Sequence, residues 1–242
     1  GSLGGFVLLD MDSNGVRTLG DLAYDTSLPL TVSGDTTQNF TLSAASAIAN
    51  VGTQHVFDGT NRNYNLHMEV DTGTKRPVTV TLVSGRNVAV PLDMGGSGGE
   101  FDANLYLGAT RPTLGDAYVY KVTFTDGSTE TLSRSVTVVL DAFAQSLVAQ
   151  KTAPGTPTVP LFTWAAPLTP PAAYAYKVFV QGDVNWFSDD LPSTTLSTLF
   201  NADSTASNPA LTSGQTYTWS VVVQDANSNR AIFQAAPYVA VP

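Results

Sequence analysis

The clearest pattern of apolar and polar positions runs through Leu211-Thr-Ser-Gly214-Gln-Thr-Tyr217-Thr-Trp219-Ser-Val221-Val-Val223-Gln-Asp225, where Tyr217, Trp219, Val221 and Val223 alternate behind a glycine. Successive strand residues face opposite ways, so this spacing predicts a half-buried β-strand entered from a turn. The glycine, the tyrosine, a second aromatic, the valine and the aspartate recur at identical spacing about a hundred positions earlier, in Gly115-Asp-Ala-Tyr118-Val-Tyr120-Lys-Val122 and Asp126. Two tandem β modules built round this strand are expected.

Taken in order, the N-terminal block predicts short strands at Phe6–Leu9, Val16–Leu22, Leu28–Val32 and Asn39–Leu42, separated by Asp, Asn and Gly turns. Residues 1–46 have no counterpart in the repeat. They read as a β-hairpin extension of the first module or the end of a preceding domain. The alanine-rich Ser43–Val51 reads as a short helix or a linker. A first module, 47–150, has predicted strands at Tyr64–Val70, Pro77–Val83, Val88–Leu92, Phe101–Leu107, Ala117–Thr125 and Leu132–Leu140, and Asp126-Gly127 is a hairpin turn that tolerates positive φ. Asp141–Ala149 reads as a connection or one helical turn.

Prolines at 154, 157 and 160 stiffen the next stretch towards polyproline II and mark a boundary. The second module, 151–242, continues with Leu161–Pro167, Tyr174–Val180, Thr194–Phe200, the organising strand and Ala231–Val241. Helical periodicity is absent throughout, so the fold class is all-β.

Hydrophobic residues make up 43% of the chain and charged ones only 13%, so its surface must be built largely from Thr, Ser, Asn, Gln and Gly. That balance suits an exported β protein better than a cytoplasmic enzyme. A net charge of −9 disfavours nucleic acid, whose binders need clustered Lys and Arg. With no cysteine, disulfides, thiolate nucleophiles and Cys-ligated zinc are all excluded. No apolar run approaches the roughly 20 residues of a membrane-spanning helix. Gly1 resembles a cloning remnant, which leaves room for an export or lipid-anchor signal upstream.

Phe162-x-Trp164, a proline-bearing turn, Tyr176-x-Val178 and Leu211-x-x-Gly214-x-x-Tyr217-x-Trp219-x-Val221 together resemble a fibronectin type III domain over 152–242. The resemblance implies a β-sandwich with Trp164 in its core and Tyr217 closing a corner by bonding back to the backbone. Residues 53–140 match more loosely. The Tyr118 strand is present, but Pro112 stands where Leu211 does and no tryptophan accompanies Leu66-His67-Met68. This module is similar to the broader immunoglobulin-like class, with Tyr118 at the equivalent corner. Both families serve mostly as spacers and binding platforms, and the fold itself does not name an activity.

Four stretches carry candidate chemistry. Gly95-Gly-Ser97-Gly-Gly99 fits G-x-S-x-G, but the alternating residues that follow predict a strand where a nucleophile elbow needs a helix. His55 and His67 have no acid, serine or second histidine at a recognisable spacing, and read as structural or surface residues. Asp10-x-Asp12-x-Asn14-Gly15-Val16-x4-Asp21 fits the oxygen-ligand spacing of a calcium loop, with Val16 offering its carbonyl. The alternative is a plain hairpin tipped by Asn14-Gly15, because the flanks look like strands and Asp21 replaces the usual Glu. In Gly182–Asp190, Trp186 with Asn185 and Asp189 forms a candidate ligand site if the indole faces solvent; packing of Trp186 on the sandwich flank is the competing expectation. Asp189-Asp190 themselves read as a solvated turn.

These observations point to a non-catalytic structural or adhesive segment of a bacterial cell-surface or secreted protein. Its expected location is periplasmic, surface or secreted, and its expected partners are other domains of the same precursor or cell-surface components. The alternative is an accessory module that binds polysaccharide or another ligand. Calcium is the one cofactor the sequence suggests.

Overall fold

The computed structural model describes residues 2–3, 6–9, 22–25, 30–31, 43–150 and 158–240, and every regular element in them is a β-strand. In the N-terminal stretch β1 (Ser2–Leu3), β2 (Phe6–Leu9), β3 (Leu22–Asp25), β4 (Leu30–Thr31) and β5 (Ser43–Ala44) form two small sheets, β1-β4 and β2-β3-β5, all antiparallel. The long strands β6 (Ala47–Phe57) and β7 (Arg62–Thr72) follow, then β8 (Pro77–Ser84), β9 (Leu92–Asp93), β10 (Gly95–Ser97), β11 (Glu100–Gly108), β12 (Ala117–Phe124), β13 (Thr129–Ser135) and β14 (Gln145–Gln150). The remainder comprises β15 (Leu161–Ala165), β16 (Ala175–Gln181), β17 (Trp186–Phe187), β18 (Leu191–Pro192), β19 (Ser197–Leu199), β20 (Thr216–Gln224), β21 (Arg230–Gln234) and β22 (Tyr238–Val239).

Several boundaries differ from the sequence reading. Ser43–Val51 is neither helix nor linker: it holds β5 and the start of β6, because Ala47, Ala49 and Val51 are buried alternately with period two. Gln145–Gln150 is a strand paired antiparallel with β15, where a connection or helical turn was expected. The strand expected at Leu132–Leu140 ends at Ser135, and of Val88–Leu92 only Leu92 is in a ladder, after a cis Val90-Pro91 peptide.

The chain divides into two compact units, Gly1–Val51 with Met68–Ala103 and Ala117–Arg134, and Gly52–His67 with Asn104–Asp116 and Ser135–Pro242. The sequence repeats meet at 150/151, whereas each unit gathers several separate stretches.

In the first unit the sheet order is β13-β12-β8-β9, and β12 runs antiparallel to β8 with Val122 opposite Val80. Tyr118, Tyr120, Val122 and Phe124 alternate inward along β12 and are buried. Tyr120 Oη donates to the Asn50 carbonyl (3.3 Å) and Arg134 Nε to that of Ala49 (2.9 Å), so two long polar side chains serve the backbone of β6.

The second unit contains a three-stranded sheet, β14-β15-β19, and a second sheet in which β16 pairs with β17, β18 and β20, and β20 pairs in turn with β21 and β22. Their inner faces meet in an aromatic core. Phe162 of β15 lies 4.8 Å from Trp219 of β20, and Trp164 is 5.3 Å edge-on to Tyr176 of β16. Val178, Val180, Val221 and Val223 complete this layer without measurable exposure. Each such side chain stabilises the fold by about 1.5–3 kcal/mol through burial. The outer strand β21 pairs onward in parallel with Gln54–Phe57 of β6.

Candidate functional site

Two features of the second unit carry polar chemistry: a buried network round His55 and a row of side chains on the outer face of the β16–β21 sheet. The network exists because Val136–Ala144 belongs to no ladder, yet Val136, Leu140, Phe143 and Ala144 are buried. Its carbonyls need partners. Thr53 Oγ1 donates to Val138 O (2.9 Å), Arg111 Nη2 to Val139 O (3.4 Å) and His55 Nδ1 to Leu140 O (3.2 Å), so three consecutive carbonyls are met by side chains. This is why the inward positions of β6 change from Ala and Val to Thr53 and His55, both fully buried.

The protons on His55 follow from its neighbours. Arg62 Nη1 lies 3.2 Å from Nε2, and a guanidinium only donates, so Nε2 carries the lone pair and Nδ1 the hydrogen. Nδ1 also faces Asp141 Oδ1 at 2.7 Å. The ring stacks on Tyr64 at 4.3 Å and meets the edge of Phe143 at 4.7 Å. Burial lowers the His55 pKa, outweighing the raising influence of the Leu140 carbonyl and Asp141. Asp141 is held below the ordinary carboxylate range by the Arg111 guanidinium, which reaches Oδ1 at 2.9 Å and Oδ2 at 2.8 Å. Arg62 covers the cluster, its guanidinium 4.8 Å over Phe57 and 5.5 Å over Phe143. On the other side of β6, Asn229 accepts from Thr53 N (3.0 Å) and donates to both oxygens of Asp225. Gly52 permits this approach, since a Cβ there would sit 2.9 Å from the Ser228 carbonyl oxygen. The contacts of this network brace backbone or other side chains.

The two repeat tyrosines occupy matching seats. A Cβ on Gly85 would lie 2.6 Å from Tyr118 Cδ1, and one on Gly182 would lie 2.6 Å from Tyr217 Cδ1. Tyr118 Oη donates to the Arg86 carbonyl (3.1 Å), while Tyr217 Oη donates to the Asp183 carboxylate and accepts from Thr212 N (2.9 Å).

Of the candidate ligand site, Trp186 is 1% exposed, and the free indole that site required is not there. Its ring lies 6.2 Å from Phe162 and 5.3 Å from Phe200, and Nε1 donates to Asp203 (2.8 Å). Asp203 also accepts from Asp189 N (2.7 Å) and Thr205 N (3.1 Å), tying the β17 hairpin to the 203–205 turn. Asn185 is exposed and accepts a long bond from Gly182 N (3.4 Å). By strand parity Phe187 is the residue that faces out, 51% exposed and 4.9 Å edge-on to Phe179. It continues a transverse row: Phe187 is opposite Phe179, Phe179 opposite Ser220, and Ser220 opposite Gln234. Gln181 and Thr218 form the adjoining pair, and a shallow groove of ≈ 120 Å³, lined by Phe179, Gln181, Thr218, Trp219, Ser220 and Gln234, lies next to Phe187 across Phe179. The sequence signal for this row was the Trp186-Phe187 pair itself, in which only one ring can turn inward.

Gly95–Ser97 is strand β10, hairpinned onto Glu100–Asp102, and a Cβ on Gly96 would strike the Glu100 carbonyl oxygen at 2.2 Å; the glycines serve a tight turn. His67 Nδ1 contacts Asn104 Oδ1 at 3.1 Å. Asp190 pairs with Lys177 at 3.2 Å. Asp10, Asp12, Asn14, Val16 and Asp21 lie outside the described residues, and among the described residues no three acids, histidines or cysteines gather in a metal-binding group. No helix among them is long and apolar enough to cross a membrane. No protein-family model matches the chain, and no curated protein matches it in sequence.

Proposed function

We propose that the chain is a non-catalytic, load-bearing segment of an extracytoplasmic bacterial protein, structural or adhesive, built from two tandem immunoglobulin- and fibronectin III-like sandwiches. The observation that carries this reading is the parallel ladder between Gln54–Phe57 and Arg230–Phe233, flanked by the Thr53, His55 and Asn229 contacts. It joins segments of both sequence repeats, and its buried polar groups are spent on bracing strands instead of converging on an open cleft. The matched seats of Tyr118 and Tyr217 support the tandem reading. The surface rich in Thr, Ser, Asn and Gln supports export.

Stretching the full chain from its two termini in an optical trap tests the role. A cooperative high-force step is expected, and Asn229→Ala should lower the force of that step. Extension without a step, or turnover of any substrate in a panel of ester, peptide and glycoside substrates, would overturn the proposal.

A further inference from the structure

We infer that the transverse row Phe187, Phe179, Ser220 and Gln234, with Gln181 and Thr218 beside it, is a binding site for a neutral oligosaccharide. The four row positions lie on four adjacent strands, β17, β16, β20 and β21. At about 4.8 Å between neighbouring strands the row spans roughly 14 Å, room for a short oligosaccharide rather than a single ring.

The row is amphipathic along its length. One end offers the exposed Phe187 ring, buttressed edge-on by Phe179, and a flat apolar ring packs well on the C–H face of a pyranoside. Ser220 and Gln234 further along the row, and Gln181 and Thr218 beside it, offer hydroxyls and amides, which both donate and accept as sugar hydroxyls do. A single exposed phenylalanine is ordinary; here an aromatic pair in cross-strand register adjoins four uncharged hydrogen-bonding side chains.

Charge selects the ligand class. The chain carries a net charge of −9, yet no carboxylate lines this groove. Lys177, on the same face one row away, is paired with Asp190. A neutral sugar meets neither repulsion nor an uncompensated cation, whereas an anionic ligand has no guanidinium or ammonium in the groove to hold it. The inference goes beyond the load-bearing role. The stretching experiment reports on the β6–β21 ladder, so either reading can fail alone.

The test is an amide chemical-shift titration of the full ¹⁵N-labelled chain with cellohexaose, xylohexaose and chitohexaose, and with hyaluronate as the anionic comparison. Saturable shifts centred on Phe179, Gln181, Phe187, Thr218, Ser220 and Gln234 are expected with at least one neutral hexasaccharide. Phe187→Ala should weaken that binding by about tenfold or more while leaving the melting curve in place, and Phe187→Trp should retain it. No shifts with any neutral oligosaccharide, shifts centred elsewhere, equal affinity in Phe187→Ala, or tighter binding of hyaluronate at this row would overturn the assignment.

Discussion

The antiparallel pairs β8–β12 and β16–β20 share a steric plan and differ in how it is closed. In both, a tyrosine at the start of the later strand lies over a glycine that ends the earlier one, with the same 2.6 Å limit on any added Cβ. Tyr118 then bonds a backbone carbonyl, whereas Tyr217 bonds an ionisable carboxylate and a backbone N–H. The surroundings differ too. β13 ends the first sheet, while β21, next to β20, is held from outside by β6. The packing requirement is thus the constant part of the repeat, and the polar closure is the part that varies.

The largest difference should come from the core. Trp164 is 4% exposed behind the β16–β20 pair, and the first repeat has no tryptophan at Leu66-His67-Met68. Trp164→Ala should cost about 3–5 kcal/mol through the cavity it leaves. Urea unfolding followed by amide signals from β16 and β12 separately would read it; a loss below about 1 kcal/mol would mean that the indole does not hold this core.

Glycine substitutions should come next and treat the two strand pairs alike. Gly85→Ala and Gly182→Ala each drive a methyl into a tyrosine ring, and overpacking of this kind costs about 1–3 kcal/mol. A large loss at one position with none at the other would break the steric equivalence and leave only the sequence similarity.

Much of this plan was legible in the sequence. Alternation at Tyr118–Phe124 and Tyr217–Val223 fixed the two central strands, since each buried residue lies two positions from the next. The His55 network was not legible, because its partners at Arg62, Arg111, Leu140 and Asp141 come from loops and strand ends whose meeting depends on long-range pairing. Ser43–Val51 misled because alanine favours helices, while its burial alternates as in a strand. The polar neighbours of Trp186 left exposure and packing on the sandwich flank both open; what the sequence did not point to is Asp203, outside that stretch, which receives the indole N–H.

The β6–β21 ladder should make the second strand pair acid-sensitive in a way the first is not. Burial lowers the His55 pKa below its unfolded value of about 6.5. The unfolded chain therefore takes up the proton first, so stability contributed by neutral His55 is complete above about pH 6.5 and is lost as pH falls from there to the folded pKa. Protonation places Nε2–H against the Arg62 donor, which opens that contact. Amide exchange at Gln54–Phe57 and Arg230–Phe233 should accelerate between pH 7 and pH 5, while exchange at Tyr120–Phe124 changes little. His55→Gln should flatten the dependence, with His67→Asn as the control. An unchanged slope in His55→Gln would detach the ladder from this histidine.

The smallest effect should separate the two tyrosine closures themselves. The Tyr217 hydroxyl bond, joined by other hydrogen bonds, holds the Asp183 pKa below the ordinary carboxylate value. A depressed folded pKa contributes stability that is present above the unfolded value near 3.9 and is lost as pH falls through the folded pKa. Asp183 is a surface group, so solvent keeps the contribution small. Tyr118 rests on a carbonyl that does not titrate. Below about pH 4 the tyrosine ring signals of the two strand pairs should therefore diverge, those of Tyr217 shifting with the Asp183 titration and those of Tyr118 following only the general acid response. Asp183→Asn keeps an acceptor oxygen but removes the charge, so it should retain the Tyr217 seat at neutral pH and abolish its acid shift. If the Tyr217 signals titrate identically in wild type and Asp183→Asn, the carboxylate plays no part in closing the second corner, and the two strand pairs differ only in what surrounds them.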